Sequence, residues 1–406
     1  YPTRGGLLSI VYFLRTCSHF LKLLNKPYLY LFTYISSTNR AFLLSESGDL
    51  VECGVAVLAE TWGKVKEAGQ TIDLDQVFTP NNILVSPLNA TERFLAEDYL
   101  LTEHQENIKN AIVGYICNKV EDRFIGLTGG PGTGKTLLIY DIAHKLAEKN
   151  RILIVHSGIL CDGHRELNQR LNNIKIIAAK ELRLREIVDV DIVIVDEAHR
   201  LYTDTLEKIE RWVKRTNATC LFSYDAGQML SSSEKLRNTS GKIDTLCTGH
   251  IYKLTNKIRT NKELALFITC LRDLSKYRSE YSFPNVKILF EPQKCEALQV
   301  IKKLEIDGYT FISYTPSLYN YELNYQSSQH NTHNVIGQEF DGVCMLIDDH
   351  LYYTPEGRLA GKLHPNPDYL FEQLLYQGLT RVRRKIALVV TSEEMLCKIL
   401  PLMGNN

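Results

Sequence analysis

A chain of 406 residues is too long for one compact domain and points to two or three, of roughly 100–200 residues each. Apolar residues at 44% and charged residues at 23% describe a globular chain with ample core, and exclude a disordered, collagen-like or coiled-coil architecture. Forty-seven basic residues balance forty-seven acidic ones, so no whole-chain field draws the protein to nucleic acid or to a membrane, although a local basic groove is compatible with that total.

Residues 1–95 read as a small α+β N-terminal domain. Its most apolar stretch, Leu7 to Leu24, is interrupted by Arg15, His19 and Lys22 and falls short of the roughly 18–20 uncharged residues that span a bilayer. No small-residue cleavage site follows Leu7–Leu14, which argues against a signal peptide. Short β-like runs at Tyr28–Tyr34, Arg40–Ser45 and Val51–Val57 are split by polar turns, Glu60–Glu67 reads as a short helix, and Thr79–Asn82 is loop. No catalytic constellation is visible there, and a protein partner is one use for such a segment. The ten cysteines are scattered singly with no Cys-x-x-Cys pair, the pattern of reduced thiols in a cytoplasmic protein.

From residue 96 the texture changes to strands alternating with helical patterns, the signature of a parallel sheet. Phe124–Thr128 is a strand and Lys135–Lys149 an amphipathic helix. Further strands follow at Arg151–Val155, Ile174–Ala178, Asp191–Val195 and Thr219–Phe222, and Ser231–Gly249 reads as a polar loop. A second series holds strands at Val286–Phe290, Thr310–Ser313, Gly342–Asp348 and Ile386–Thr391, with a helix at Cys295–Leu304. The spacing predicts two α/β units, 96–250 and 251–406, joined near residue 250.

Gly129-Gly130-Pro131-Gly132-Thr133-Gly134-Lys135-Thr136 fits G-x-x-x-x-G-K-[ST], between a strand and a helix. At average glycine usage such a match arises by chance in roughly one chain in seventy of this length. Its glycines let backbone N–H groups turn around phosphate oxygens, and the helix N-terminus adds its positive dipole end. Lys135 is then placed for the β/γ-phosphates of ATP and Thr136 for Mg²⁺. Some sixty residues on, the apolar strand ending in Asp196-Glu197-Ala198-His199 delivers Asp196 for Mg²⁺, through water, and Glu197 as general base. His199 either couples to the second unit or packs in the core.

Asp-Glu-Ala-His suggests superfamily 2 helicases, but neither the Ser-Ala-Thr motif nor Gln-x-x-Gly-Arg-x-x-Arg is present. Instead, over about residues 100–395, the chain resembles superfamily 1 helicases, in particular the Schlafen group 3-like DNA/RNA helicase domain. Leu101-Thr102-Glu103-His104-Gln105 looks like the Q-motif, in which Gln105 would read adenine; Thr102 and Gln105 also form a helix capping box. Ile154–Gly158 sits where motif Ia contacts a single strand. Ser223-Tyr224-Asp225-Ala226-Gly227-Gln228 resembles motif III, which makes Gln228 the γ-phosphate sensor, with Tyr224 in place of the usual glycine. Leu254–Arg259 is similar to motif IV, with Arg259 reaching the γ-phosphate and Ile258 where relatives carry a stacking aromatic. His333–Asp341 looks like motif V, which puts Gly337 and Gln338 at the cleft and Glu339 on the ribose or on a loop tied to nucleotide state. Gln377–Arg384 resembles motif VI, with Arg381 as arginine finger rather than part of a solvated basic edge.

The resemblance implies two tandem RecA-like parallel-sheet domains after the N-terminal domain. It also implies ATP and Mg²⁺ in the cleft and single-stranded nucleic acid, DNA rather than RNA, as partner. Because Arg259 and Arg381 lie in the second unit, hydrolysis would require closure over ATP, and one chain completes the site. The short intervals between motifs leave no room for large inserted domains. Tyr314, Tyr319, Tyr321 and Tyr325, in the loop from Tyr314 to Asn331, read either as base-stacking residues or as plain turn. The expected function is an ATP-dependent helicase or single-strand translocase. The alternative is an ATP-driven switch, for example in antiviral defence, that recruits a partner without translocation.

Overall fold

The computed structural model describes residues 32–35, 40–44, 50–54, 56–57, 85–118, 122–183, 189–255, 261–315, 328–362 and 369–404. Leu7–Leu24, Glu60–Glu67, Ile258, Arg259, Tyr319, Tyr321 and Tyr325 lie outside the described residues. The trace groups into two units. One is Tyr1–Val85 with Glu92–Asn107; the other is Ser86–Thr91 with Ile108–Asn406.

Strands β1 (Phe32–Ile35), β2 (Arg40–Leu44) and β3 (Leu50–Cys53) form an antiparallel meander, in which Arg40 pairs with Glu52 across the register that sets Phe42 opposite Glu52. Two helices follow, α1 (Thr91–Leu95) and α2 (Glu103–Cys117).

The larger unit holds two parallel sheets. In chain order the first takes β4 (Phe124–Gly129), α3 (Lys135–Leu146), β5 (Ile152–His156), α4 (Asp162–Arg170), β6 (Ile174–Ala178) and β7 (Ile192–Asp196). After α5 (Thr203–Arg215) come β8 (Thr219–Tyr224), α6 (Ser232–Arg237), α7 (Thr239–Leu246) and β9 (Ile251–Leu254). The strand order is β6-β5-β7-β8-β4-β9, all parallel, so β8 lies between the strands that end at the phosphate loop and at Asp196. Ile152–His156 and Ile192–Asp196 are buried along their whole length, as central strands covered on both faces must be. Helix α5 buries Leu206, Ile209 and Val213 at helical spacing and turns its charges outward.

The stretch Ser231–Gly249 is helical, contrary to the loop that its polarity suggests. Ser231 caps α6 by accepting the Glu234 N–H, and Asn238, left-handed at φ 46°, ends α6 and starts α7. Only Ile243 and Cys247 need burial to hold α7 against the sheet, too few apolar residues to mark a helix in sequence. The first sheet also runs on to Leu254, past residue 250.

The second sheet is built from α8 (Lys262–Arg272), β10 (Val286–Phe290), α9 (Lys294–Ile306), β11 (Thr310–Ser313), β12 (His330–Asn331) and β13 (Phe340–Ile347). The hairpin β14 (Leu351–Tyr353) and β15 (Leu359–Gly361) precedes α10 (Phe371–Leu379), β16 (Val382–Val390) and α11 (Glu393–Ile399). Its order, β10-β16-β13-β11-β12, is again parallel throughout. Two parallel sheets are thus present, in keeping with the two RecA-like domains expected. Tyr314 is not a stacking residue in this fold: it is 3% exposed, and its hydroxyl donates to the Leu346 carbonyl at 2.9 Å. The cysteines among the described residues are free thiols, and no described helix is long and apolar enough to cross a membrane.

Phe267 of α8 is fully buried against Phe283, ring centroids 5.3 Å apart, at the centre of the second core. Phe267→Ala should therefore cost about 3–5 kcal/mol in denaturant unfolding; a loss below about 1 kcal/mol would contradict this packing.

Candidate active site

The loop from Gly129 to Gly134 bends back over the start of α3 because Gly132 and Gly134 take left-handed φ values of 73° and 86°, which a side chain would resist. No side chain caps α3, so its first N–H groups face the loop's interior. Lys135, 7% exposed, donates from Nζ to the carbonyls of Gly129 (2.6 Å) and Gly130 (3.1 Å) and lies 3.8 Å from Asp225 Oδ2. Thr133 Oγ1 donates to Gly130 O at 2.9 Å, which closes the turn.

Behind this loop β7 ends at Asp196, 1% exposed, whose Oδ1 accepts the Glu197 N–H at 3.0 Å. Its Oδ2 is buried with no hydrogen-bond partner among the described residues, 3.4 Å from His156 Nδ1. Glu197 is held at φ 53°, a left-handed conformation that costs a non-glycine residue roughly 1–3 kcal/mol and concentrates at functional sites. Burial pushes its carboxyl up, but His199, Lys135, Arg381 and His156 together bring it below its ordinary value. Burial likewise holds His199 below its own ordinary value, against the opposing pull of Glu197.

His199 is more than packing. Its Nδ1 accepts the Asp225 N–H at 3.2 Å, which leaves Nε2 as the donor, 3.6 Å from Glu197 Oε2. It thereby ties Glu197 to the turn after β8. That turn is closed by Asp225 Oδ1 accepting the Gly227 N–H at 2.9 Å, and it presents Gln228, 4% exposed. Gln228 Nε2 is buried without a hydrogen-bond partner among the described residues. Tyr224, where a glycine is usual, does not enter the cleft: its ring is in the core and its hydroxyl donates to Asp244.

From the second sheet, Glu339 Oε2 accepts from Arg383 Nε at 3.1 Å, and the Glu339 N–H donates to Asn89 Oδ1 at 3.0 Å. Gln338 Nε2 donates to the Asn334 carbonyl at 2.7 Å. Arg381, 8% exposed, follows α10 and donates from Nε to the Gln377 carbonyl at 3.3 Å. Pro131, Gly132, Thr133, Gly134, Lys135, Thr136, Glu197 and Gln228 from the first sheet, and Gly337, Glu339, Thr380 and Arg381 from the second, line one cleft of about 20 Å³.

Of the residues singled out in sequence, Gly129 and Gly130 contribute only carbonyls to Lys135, and Asp196 lies just behind the cleft wall. Gln105 is engaged in the capping box: its Oε1 accepts the Thr102 N–H at 2.9 Å, and its own N–H donates to Thr102 Oγ1 at 3.2 Å. Sequence reasoning missed Thr380 and Asn89. Thr380 adjoins the recognised Arg381, whereas nothing in Ser86–Thr91 marks that segment as a prop for Glu339.

A second, larger cavity of about 630 Å³ opens where the loop after β5 (Ser157, Gly158, Ile159) faces Lys180, Arg200, Tyr202, Arg237, His333 and Tyr369. Tyr202 is 69% exposed, with the Arg237 guanidinium 4.3 Å over its ring, and the His333 and Tyr369 rings lie 5.0 Å apart. Arg200 and Glu234 form a buried pair at 3.4 Å in its wall.

Residues 123–287 match the family model of the Schlafen group 3, DNA/RNA helicase domain. Over that segment the chain is similar to the Schlafen group 3 helicase domain. The matched Schlafen group 3 segment takes in the whole first sheet, while Gly337, Glu339 and Arg381 lie beyond it. No curated protein matches the chain. Among solved structures, it is similar to Pif1 helicases described as coordinating in DNA unwinding at forked duplex DNA, at 14% identity and TM-score 0.41, covering 76% of this chain and 95% of that one. It is similar to Pif1 helicase from Candida albicans at 10% identity and TM-score 0.42, covering 74% and 96%. It is also similar to Bacteroides Pif1 bound to single-stranded DNA at 14% identity and TM-score 0.36, covering 73% and 93%. At those scores the likeness is distant.

The buried His164 imidazole, packed at a tilt against His156, is pushed down to about 2 by burial first, with His156 and Arg165 adding repulsion. Its folded value lies below the ordinary 6.5, so the unfolded chain takes up the proton first and stability falls as pH drops from about 6.5 toward about 2. This one group contributes up to about 1.4 kcal/mol per pH unit in that window. Denaturant midpoints measured from pH 8 to pH 5 should fall, and His164→Gln should flatten the slope; an unchanged slope would contradict the assignment.

Proposed function

We propose that the protein hydrolyses ATP in the cleft between the two parallel sheets and uses the cycle to move along single-stranded nucleic acid, DNA in preference to RNA. The observation that carries this reading is the single cleft into which Lys135, Glu197 and Gln228 of one sheet and Arg381 and Glu339 of the other project. Phosphoryl transfer asks a protein mainly for positioning and for charge neutralisation on the γ-phosphate. Lys135 and Arg381 supply the two described cations, Gln228 offers the amide that has no other partner, and Arg259 is assigned to the same task from motif IV. Glu197, held ionised by its cationic neighbours, takes the proton from the attacking water.

The residues present also fit a divalent metal. Thr136 sits at the second residue of α3 and Asp196 Oδ2 is a buried carboxylate oxygen without a hydrogen bond, a donor set suited to Mg²⁺. Bound there, Mg²⁺ would neutralise the β- and γ-phosphate oxygens. Gly129 to Gly134 cradle the phosphates, Glu339 is assigned to the ribose and Gln105 to adenine.

A cleft of about 20 Å³ holds little more than one water, so a triphosphate enters only when the two sheets part, and it is sealed from water when they close. Opening and closing changes the spacing across the second cavity. Its exposed Tyr202, backed by Arg237, together with Lys180, Arg200 and Tyr369, provides the stacking faces and cations that a single strand requires. This groove reconciles a zero net charge with a polyanionic partner.

Steady-state ATP hydrolysis should rise several-fold with single-stranded DNA, less with RNA, and the stimulation should fade as salt increases. Lys135→Ala or Glu197→Gln should lower the rate by about 100-fold or more, and a stimulated rate that survives Glu197→Gln would remove the general-base assignment. Tyr202→Ala should weaken strand binding by about 1–3 kcal/mol without changing unstimulated hydrolysis. A rate indifferent to every strand would instead favour the partner-recruiting switch.

A further inference from the structure

The loop that lines the strand groove and the metal carboxylate are joined by a chain of buried side chains that the hydrolytic mechanism does not use. His156, the last residue of β5, is fully buried, and neither ring nitrogen makes a hydrogen bond among the described residues. Its Nδ1 stands 3.4 Å from Asp196 Oδ2, itself buried and unpartnered, a few tenths of an ångström beyond a normal N–H···O bond of about 2.9–3.0 Å. Two unsatisfied groups facing each other so closely in the interior strongly favour the small movement that would pair them.

That movement is within reach of the groove. Ser157 donates its backbone N–H to the Asp196 carbonyl at 3.0 Å, and Gly158 passes so close over the imidazole that a Cβ there would lie 2.8 Å from His156 Nε2. The His156 ring also packs at a tilt against His164, centroids 4.4 Å apart. His164 Nδ1 accepts the Cys161 N–H at 3.1 Å, where the chain leaves the groove and starts α4. A strand pressing on Ser157, Gly158 and Ile159 therefore bears directly on His156.

We propose that His156 is a positioning residue that couples strand occupancy of the groove to the Mg²⁺ carboxylate: a bound strand seats the loop, the imidazole closes on Asp196 Oδ2, and the carboxylate is fixed in its metal-holding orientation. The inference rests on the single-strand reading of the groove. It assigns His156 the part that hydrogen-bonded outer residues play for metal-ligating carboxylates, whose loss typically lowers metal affinity by 10–100-fold.

The test is the Mg²⁺ dependence of binding of a fluorescent ADP analogue to the full chain, with and without an oligo-dT strand whose own binding is followed by anisotropy. In the wild type the strand should lower the Mg²⁺ midpoint several-fold. His156→Phe should raise the midpoint about 10–100-fold and make it indifferent to a strand that still binds. His156→Asn, whose amide can reach Oδ2 in place of Nδ1, should recover most of the strand effect, which a purely structural role would not grant to the smaller side chain. Gly158→Ala, which crowds the imidazole without touching Asp196, should uncouple the two in the same way and decides the matter if His156→Phe fails to fold. A wild-type midpoint that a bound strand does not move, or a shift that persists in the folded His156→Phe or Gly158→Ala variant, overturns the inference and leaves the groove reading standing. Failure of the wild type to bind any strand overturns both.

Discussion

Everything at the site turns on holding a carboxylate ionised inside a nearly closed cleft. Glu197 is 5% exposed, and burial alone would neutralise it. His199 first, then Lys135 and Arg381, which face it from the two sheets, keep it charged, while the charge of Lys135 and Arg381 is balanced by Asp225, Glu197 and Glu339 nearby. The first sheet contributes one of those two cations. On the proposed reading, the electrostatics of Glu197 therefore depend on the second sheet being in place.

A small set of contacts makes that dependence mechanical. His199 stands between Glu197 and the turn that carries Gln228, accepting the Asp225 N–H at 3.2 Å and lying 3.6 Å from Glu197 Oε2. On the opposite wall Glu339 is pinned from two directions, by Arg383 on β16 and by Asn89. Side chains locked in this way lose little further freedom when a phosphate arrives, which is the form that preorganisation takes in an electrostatic site.

What could be read from sequence follows from how far each feature is spread along the chain. The phosphate loop and Asp196-Glu197 are contiguous, and their strand-turn-helix and strand-turn settings are local, so residues and elements were legible together. Gln228, Glu339 and Arg381 lie on separate elements and were found only as motifs in a fixed order; their convergence on one cleft is a property of the two sheets. Helix α8 was not among the expected elements, although Leu264, Phe267, Ile268 and Leu271 recur at helical spacing, whereas α7 buries too few apolar residues to carry such a signal. The contact of His156 with His164 had no signal: the two lie eight residues apart on a strand and a helix, and only the β5–α4 crossover brings the rings together. The left-handed backbone at Glu197 was equally silent, because strain at a non-glycine residue is imposed by its surroundings.

The central claim is that Arg381 completes across the cleft a site that the first sheet begins, and that it acts on the charge of the transition state. The most direct measurement compares the affinity of ADP–aluminium fluoride, which mimics that state, with the affinity of a non-hydrolysable ATP analogue, in the wild type and in Arg381→Ala. Arg381→Ala should weaken the transition-state mimic by about 100-fold or more and the ground-state analogue far less. Equal losses for both ligands would place Arg381 in uniform binding, and no loss for either would remove the second sheet from the chemistry.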